Sequence, residues 1–272
     1  MAGRCISLEK DSVSSLFAVS FFIRMPAAKQ RLDQLLVARG YFESRAKAQR
    51  AIMAGGVSVG EQRADKPGTR VAEDAAITVK TSDRYVGRGG LKLEAALAQF
   101  AVDPTGQTCL DIGASTGGFT DCLLQHGAAK VFAIDVGHSQ LDWKIRSDPR
   151  VVVREKLNAR HLTRADIPEP IAICVIDVSF ISLTLILPPA AALLSNGGVI
   201  IPLIKPQFEL RKEDVARGGV VRDPALHERA VEKIRAFTAT LPGLTWSGLI
   251  ESPILGGEGN KEFLACLRAV SA

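Results

Sequence analysis

Thr108-Cys109-Leu110-Asp111-Ile112-Gly113-Ala114-Ser115-Thr116-Gly117-Gly118-Phe119 is the stretch whose reading decides the fold. A short apolar run ends at Asp111, small residues follow from Gly113 to Gly118, and Phe119, Cys122, Leu123 and Leu124 open a helix. Strand, glycine turn, helix is the first unit of a doubly wound α/β domain, and ligands bind at the carboxyl ends of such strands. Glycine lets backbone approach a ligand closely. The helix N-terminus offers free N–H groups to an anion, either a phosphate or the carboxylate of an amino-acid-like cofactor.

Spacing narrows the choice. A dinucleotide fingerprint needs Gly-x-Gly-x-x-Gly. This turn is Gly-x-x-x-Gly-Gly, with Ser115 where the second glycine would stand, and no Gly-Lys-Ser/Thr follows to make a P-loop. A second strand, Lys130 to Ile134, ends in Asp135, an acid placed to hold a ribose through its two hydroxyls. Acid, glycine turn and second acid fit S-adenosylmethionine best. The plainer alternative is a tight turn of any α/β protein, with both acids only capping.

The composition sets bounds. The chain has 272 residues, 47% hydrophobic and 23% charged, as expected for a globular protein with one large and one small domain. Its net charge of +5 suits a nucleic-acid partner without requiring one. Cys5, Cys109, Cys122, Cys174 and Cys266 are scattered and form no Cys-x-x-Cys pair. They read as thiols of a reducing, cytoplasmic compartment, with no disulfide framework. The histidines lack metal-ligand spacing, so no metal is expected. No apolar run reaches the ~18 to 20 residues that span a bilayer, so no membrane partner is expected either. Residues 1–24 hold only a short apolar patch, Leu16 to Ile23, with no small-residue cleavage site. They read as a disordered extension or a misassigned start ahead of Met25.

Residues 31–80 form a small α+β unit. Leu32, Leu35, Leu36 and Val37 recur at helical spacing until Gly40. A second helix begins after Ser44, a good N-cap, with Ala48, Ala51 and Ile52 on one face. Val57-Ser58-Val59 and Ala76 to Lys80 read as strands. From Lys29 to Lys80 there are ten Lys/Arg against six Asp/Glu. Arg-Leu-Asp-x-x-Leu, Ser-Arg-x-x-Ala and Gly-x-Val-x-Val, in that order, resemble the S4-like RNA-binding domain. The resemblance implies that Arg31, Arg45, Arg50 and Lys66 face structured RNA, mainly at its phosphates.

Residues 81–90, including Arg84 and Arg88, are basic and glycine-rich, as a linker would be, and both arginines count as RNA-binding candidates. Residues 91–272 then form the larger domain. Lys92 lies in the first turn of an amphipathic helix, where it opposes the helix dipole. Ser139 to Ile145 reads as helical and Val151 to Val153 as a third strand. In the loop from Glu155 to Arg160, Asn158 is placed to approach an adenine. Ile171 to Asp177 and Gly198 to Ile204 are continuous apolar strands suited to the middle of a parallel sheet. Asp177 ends one strand and Lys205 follows the other. Leu244 to Ile250 and Glu262 to Val270 read as two final strands, antiparallel, which would bring Glu262 to the same edge.

At these residues the resemblance becomes close. Arg-Gly-Gly-x-Lys-Leu, Asp-Ile-Gly-Ala-Ser-Thr-Gly-Gly-Phe-Thr-Asp, Asp-Val-Gly, Asp-Val-Ser-Phe-Ile-Ser, Lys-Pro-Gln-Phe-Glu and Gly-Asn-x-Glu-Phe follow one another. Together they look like the TlyA (hemolysin A) family of FtsJ-like RNA 2′-O-methyltransferases. The match implies a Rossmann-like S-adenosylmethionine-dependent methyltransferase sheet and a Lys-Asp-Lys-Glu tetrad, here Lys92, Asp177, Lys205 and Glu262. It implies methylation of cytidine ribose in ribosomal RNA or ribosomal subunits. The cofactor would lie against Asp111, Gly113, Ala114, Ser115, Thr116, Gly117, Gly118, Phe119, Asp135 and Asn158. The sequence departs from the family's pattern at Gly87, where Ser is frequent, and at Leu157, where a polar residue is. Two alternatives stand beside this reading: a non-enzymatic RNA-binding protein with a methyltransferase fold, and a secreted hemolysin.

Overall fold

The computed structural model describes residues 28–79, 84–216 and 218–270. The expected N-terminal extension, Lys80 and the first residues of the expected linker lie outside them. The chain divides into two compact units, Met1–Ser82 and Asp83–Ala272.

The first unit runs β1 (Lys29–Arg31), α1 (Leu32–Ala38), α2 (Arg45–Met53), β2 (Val57–Val59), β3 (Gln62–Ala64), β4 (Arg70–Ala72) and β5 (Ile77–Val79). Strand β1 pairs with β4, and β2 lies between β3 and β5, all antiparallel. Leu32, Leu35, Leu36, Ala48, Ile52, Val57 and Val71 form the core. Ser44 caps α2, its Oγ accepting the Lys47 N–H. On the polar side one carboxylate gathers the helices. Asp33 is fully buried and accepts from Arg31 at 3.0 and 3.1 Å, from Arg45 at 2.8 Å and from Gln49 at 2.8 Å. The Arg31 hydrogen bonds above all hold its carboxyl well below the usual carboxylate range.

The second unit runs α3 (Gly89–Gln99), β6 (Thr108–Ile112), α4 (Gly118–Gln125), β7 (Lys130–Asp135), α5 (Trp143–Arg146), β8 (Val151–Glu155), β9 (Ile171–Ile176), α6 (Leu187–Ala192), β10 (Leu194–Ile204), α7 (Pro206–Glu209), α8 (Pro224–Thr238), β11 (Leu244–Glu251) and β12 (Phe263–Ala269). Its seven-stranded sheet has the order β11-β12-β10-β9-β6-β7-β8. The five strands from β10 to β8 are parallel, and β12 is antiparallel to both neighbours. The chain starts at β6, winds outward to β8, and returns to β9 on the other side of β6. That reversal opens a crevice above the carboxyl ends of β6 and β9, where doubly wound folds bind ligands. Helices cover both faces, and every described cysteine is buried and free.

Two stretches differ from their sequence-based expectation. Only Trp143–Arg146 of the expected Ser139–Ile145 helix is helical. Ser139 takes a left-handed φ of 56° and gives its N–H to Glu155 Oε1 at 2.7 Å, while Asp142 caps the short helix that follows. The described part of the expected linker, residues 84–90, is folded into the second unit. Tyr85 is 2% exposed, the Val86 N–H donates to buried Asp121 at 2.9 Å, and Gly89 and Gly90 already belong to α3.

Candidate active site

The turn after β6 is shaped by two left-handed glycines. Gly113 has a φ of 88°, and a Cβ there would stand 2.3 Å from the Asp177 carbonyl oxygen. Gly117, with a φ of 97°, caps α4. Both positions exclude other residues by conformation, and Gly113 by space as well. The close approach at Gly113 joins the turn after β6 to the end of β9.

A cavity of about 480 Å³ opens at this junction. Gly113 and Ser115 line it from the turn, Asp135 and Val136 from the end of β7, and Leu157 and Asn158 from the loop after β8. Asp177, Val178, Ser179 and Phe180 close the far side. The Asp135 carboxylate is fixed by backbone, with Oδ2 accepting the Ser115 N–H at 2.8 Å and Oδ1 the Gly137 N–H at 2.7 Å. Each oxygen keeps lone-pair capacity for a further donor. Asn158 turns its Oδ1 to the Arg160 N–H at 3.1 Å, which leaves its amide NH₂ available.

The other turn residues occupy different positions. Asp111 is fully buried beneath the turn, where Thr120 Oγ1 donates to Oδ2 at 2.6 Å and Oδ1 has no partner. Burial above all, with a contribution from the Asp177 charge and against the Thr120 hydrogen bond, pushes its carboxyl up to about 7. Ala114, Gly117, Gly118 and Phe119 are buried and Thr116 is exposed; none of these lines the cavity at the junction. Gly118 packs against the backbone of Gly87 and Gly90, so the segment 84–90 braces the helix start.

Four charged residues meet in two pairs. Lys205 Nζ stands 2.6 Å from Asp177 Oδ1 and donates to Ser179 Oγ at 2.9 Å. The contact with Oδ1 is close but not aligned as a hydrogen bond. Lys92 Nζ donates to Glu262 Oε2 at 2.5 Å, with both residues under 9% exposed. The first turn of α3 links the pairs: a Cβ on Gly89, three residues before Lys92, would lie 3.9 Å from Asp177 Oδ2. Strand β12 runs antiparallel to its neighbour β10, with Phe263 paired to Ile204, and so delivers Glu262 to the carboxyl edge of β10.

Phe180 is a further candidate that sequence reasoning passed over. It is 91% exposed, lines the cavity, and sits at a φ of 63°, which is rare for a bulky residue. Its ring lies 5.0 Å from that of Phe208, over which Lys205 Nζ stands at 5.9 Å. The signal available in sequence was its place two residues before Ser182 in Asp-Val-Ser-Phe-Ile-Ser. Ser115, Ser139 and Lys156 also take left-handed φ in loops on this edge, so backbone strain gathers around the cavity.

The basic candidates divide. Arg31 and Arg45 share Asp33 and remain 38% and 50% exposed. Arg50 and Lys66 are exposed. Arg84 pairs with Glu94, and Arg88 donates to the Leu255 carbonyl at 2.7 Å. No metal-holding cluster of His, Cys, Asp or Glu occurs among the described residues, and no helix among them is long and apolar enough to cross a membrane.

Residues 85–269 match the model of the FtsJ-like methyltransferase domain. The chain belongs to this family. Residues 30–77 match the S4 domain ahead of it. Among full-length relatives, the 16S/23S rRNA (cytidine-2′-O)-methyltransferase TlyA of Mycobacterium tuberculosis is 46% identical, covering 89% of this chain and 91% of that protein. Hemolysin A of Brachyspira hyodysenteriae is 44% identical, covering 86% and 98%. A solved structure from Streptococcus thermophilus, provisionally described as a hemolysin, is 45% identical, covers 90% of each chain and superposes with a TM-score of 0.68. The chain is therefore a methyltransferase with an S4 domain.

Proposed function

We propose that this FtsJ-like chain transfers a methyl group from S-adenosylmethionine to the 2′-hydroxyl of a cytidine in ribosomal RNA, and so works where ribosomes are, in the cytoplasm. The observation that carries the reading is the Lys205–Asp177 pair at the wall of a cavity whose opposite wall holds Asp135. The M. tuberculosis relative named for cytidine-2′-O methylation supports the substrate.

The residues suit the cofactor. A cavity of about 480 Å³ falls within the ~300 to 1,000 Å³ typical of small-molecule sites. Asp135 offers a ribose two acceptors, Asn158 offers an adenine an amide, and Ile134, Leu157 and Ile186 provide an apolar slot. When bound, S-adenosylmethionine supplies a methyl on a sulfonium, an electrophile that needs only in-line approach. The remaining tasks fall to the protein. Lys205, held by Asp177 and Ser179, orients the ribose hydroxyl and stabilises the negative charge that grows on its oxygen. Lys92 and Glu262 hold the first turn of α3 beside Asp177. Phe180 presents a bare aromatic face on which an unstacked base rests.

Asp135→Ala weakens S-adenosylmethionine binding by about 1.5 to 3 kcal/mol, the range for hydrogen bonds to charged groups. Calorimetry that finds an unchanged dissociation constant removes Asp135 from the cofactor site.

The S4 domain holds the RNA. Arg50→Ala with Lys66→Ala is the cleaner test of this than any change at Arg31 or Arg45, because both of those bond buried Asp33 and Arg45 thereby ties α2 to α1. The double variant weakens RNA binding and flattens its log–log salt dependence by about one unit per lost phosphate contact, with cofactor affinity unchanged. An unaltered salt slope excludes these side chains from the RNA.

The whole reading is tested by incubating the full chain with ribosomal subunits and methyl-labelled cofactor. The expected product is a 2′-O-methylcytidine. Label on a base, or none on either subunit, overturns it.

A further inference from the structure

Helix α7 follows Lys205 directly and spans only four residues, Pro206–Glu209. A helix so short has no stability of its own. Lys205, at its N-cap, makes no side-chain cap, and Pro206 contributes no N–H. The distal end of α7 is held by its last side chain. Glu209 is 5% exposed and its Oε2 accepts from Ser182 Oγ at 2.6 Å and from Lys233 Nζ at 2.9 Å, while Oε1 accepts the Leu183 N–H at 2.7 Å. Lys233 also donates to the Glu209 carbonyl at 2.7 Å and to Ser182 Oγ at 3.2 Å. Lys233 projects from α8, a fifteen-residue helix capped by Asp223.

These bonds span a particular gap. Ser182 and Leu183 end the loop that starts at Asp177 after β9. Glu209 ends the segment that starts at Lys205 after β10. Strands β9 and β10 are parallel neighbours in register at Ile176 and Pro202. The two loops are therefore tied twice, by the Lys205–Asp177 contact near the sheet and by the Glu209 network farther along. Phe180 and Phe208, which touch between the ties, belong to the same two loops.

We propose that Glu209 is a positioning residue that aligns Lys205 with Asp177 for methyl transfer by clamping α7 to Ser182 and Leu183, with Lys233 neutralising the buried clamp. The inference rests on the role given to Lys205 above. Glu209 touches neither substrate nor cofactor. Without it, α7 is free to tilt and the Lys205 amine moves with it. A displacement of about 1 Å at a reacting group costs up to about 100-fold in rate.

The test uses the full chain. Glu209→Gln keeps the shape of the side chain but removes the charge that Lys233 answers and replaces one acceptor with a donor. Single-turnover methyl transfer falls by about 10- to 100-fold, while S-adenosylmethionine affinity stays within about twofold. Lys233→Met produces a similar loss and Lys233→Arg preserves most of the rate. In a Lys205→Ala background, Glu209→Gln causes no further loss, because it acts through Lys205. A fully additive loss there overturns the proposal and leaves Glu209 a structural residue only, as does wild-type transfer by folded Glu209→Gln. Should Glu209→Gln fail to fold, Ser182→Ala removes one strand of the clamp and is expected to slow transfer in the same Lys205-dependent way. A crystal structure of Glu209→Gln reads the clamp even if no ribosomal RNA accepts a methyl from the unaltered chain, a result that would defeat the functional reading alone. Separation of Lys205 Nζ from Asp177 beyond about 4 Å, the limit of an ion pair, is expected. An unchanged pair overturns the clamp.

Discussion

Lys205→Ala leaves a folded chain that binds RNA and cofactor, yet its single-turnover methyl transfer falls by about 100-fold or more, the usual size of a lost general-base or electrostatic contribution. Folding survives because the pair is not sealed from water: Lys205 and Asp177 side chains are 11% and 23% exposed, and Asp177 faces the cavity. Water can therefore solvate the carboxylate once the lysine is gone. The rate does not survive, because no other described cation contacts Asp177. Lys205→Arg does not rescue it. A planar guanidinium places its donors differently from the single ammonium between Asp177 and Ser179. Near-wild-type transfer by the alanine variant would remove Lys205 from the chemistry and with it the proposed tetrad.

The second large effect falls on stability. Lys92→Met leaves the Glu262 carboxylate 3% exposed with no ammonium beside it. Removing one member of a buried pair typically costs about 3 to 5 kcal/mol. Glu262 has little room to turn away, since a Cβ on Gly256 would stand 2.4 Å from its Oε1. Replacing both partners, Lys92→Met with Glu262→Leu, restores much of the stability, because two apolar side chains leave no orphaned charge. The double variant is then stable but slow. Urea unfolding of the single and double variants measures both effects. A loss below about 1 kcal/mol in Lys92→Met, the range of exposed pairs, would mean that water reaches Glu262.

The main lines of this arrangement were legible in the sequence because they depend on local signals. Apolar runs gave the parallel strands, Ser44 marked a helix start, and the acids at the end of β7 and after β9 lie at the sheet's carboxyl edge. The pairing of Lys92 with Glu262 was less legible, since it depends on the direction of β12. What failed was non-local. Arg84 to Gly90 carries the composition of a linker, but a Cβ on Gly90 would stand 2.2 Å from the Tyr85 ring, so glycine there makes room for a buried aromatic. The bond from the Val86 N–H to Asp121 reaches across 35 positions and leaves no local pattern. Ser139 to Ile145 had helical spacing, but the Glu155 carboxylate took the Ser139 N–H and bent the backbone away. Glu209 stood in the sequence only as the last residue of Lys-Pro-Gln-Phe-Glu; the fold brings Ser182 and Lys233 to it.

The contact between Lys92 and Glu262 joins positions 170 apart, nearly the whole length of the catalytic unit. During synthesis, at about 5 to 20 residues per second, the first partner waits roughly ten to thirty seconds for the second. Over roughly the last third of that interval β10 is complete but has no neighbour on its outer side, because β12 has not been made. A bare edge of that kind invites pairing with other chains. The nascent chain thus reaches the turn after β6, the end of β7 and Lys205 well before it reaches Glu262. The segment that covers the sheet's sticky edge is also the one that completes the charged set, so unfinished chains are both vulnerable to aggregation and deprived of a finished site.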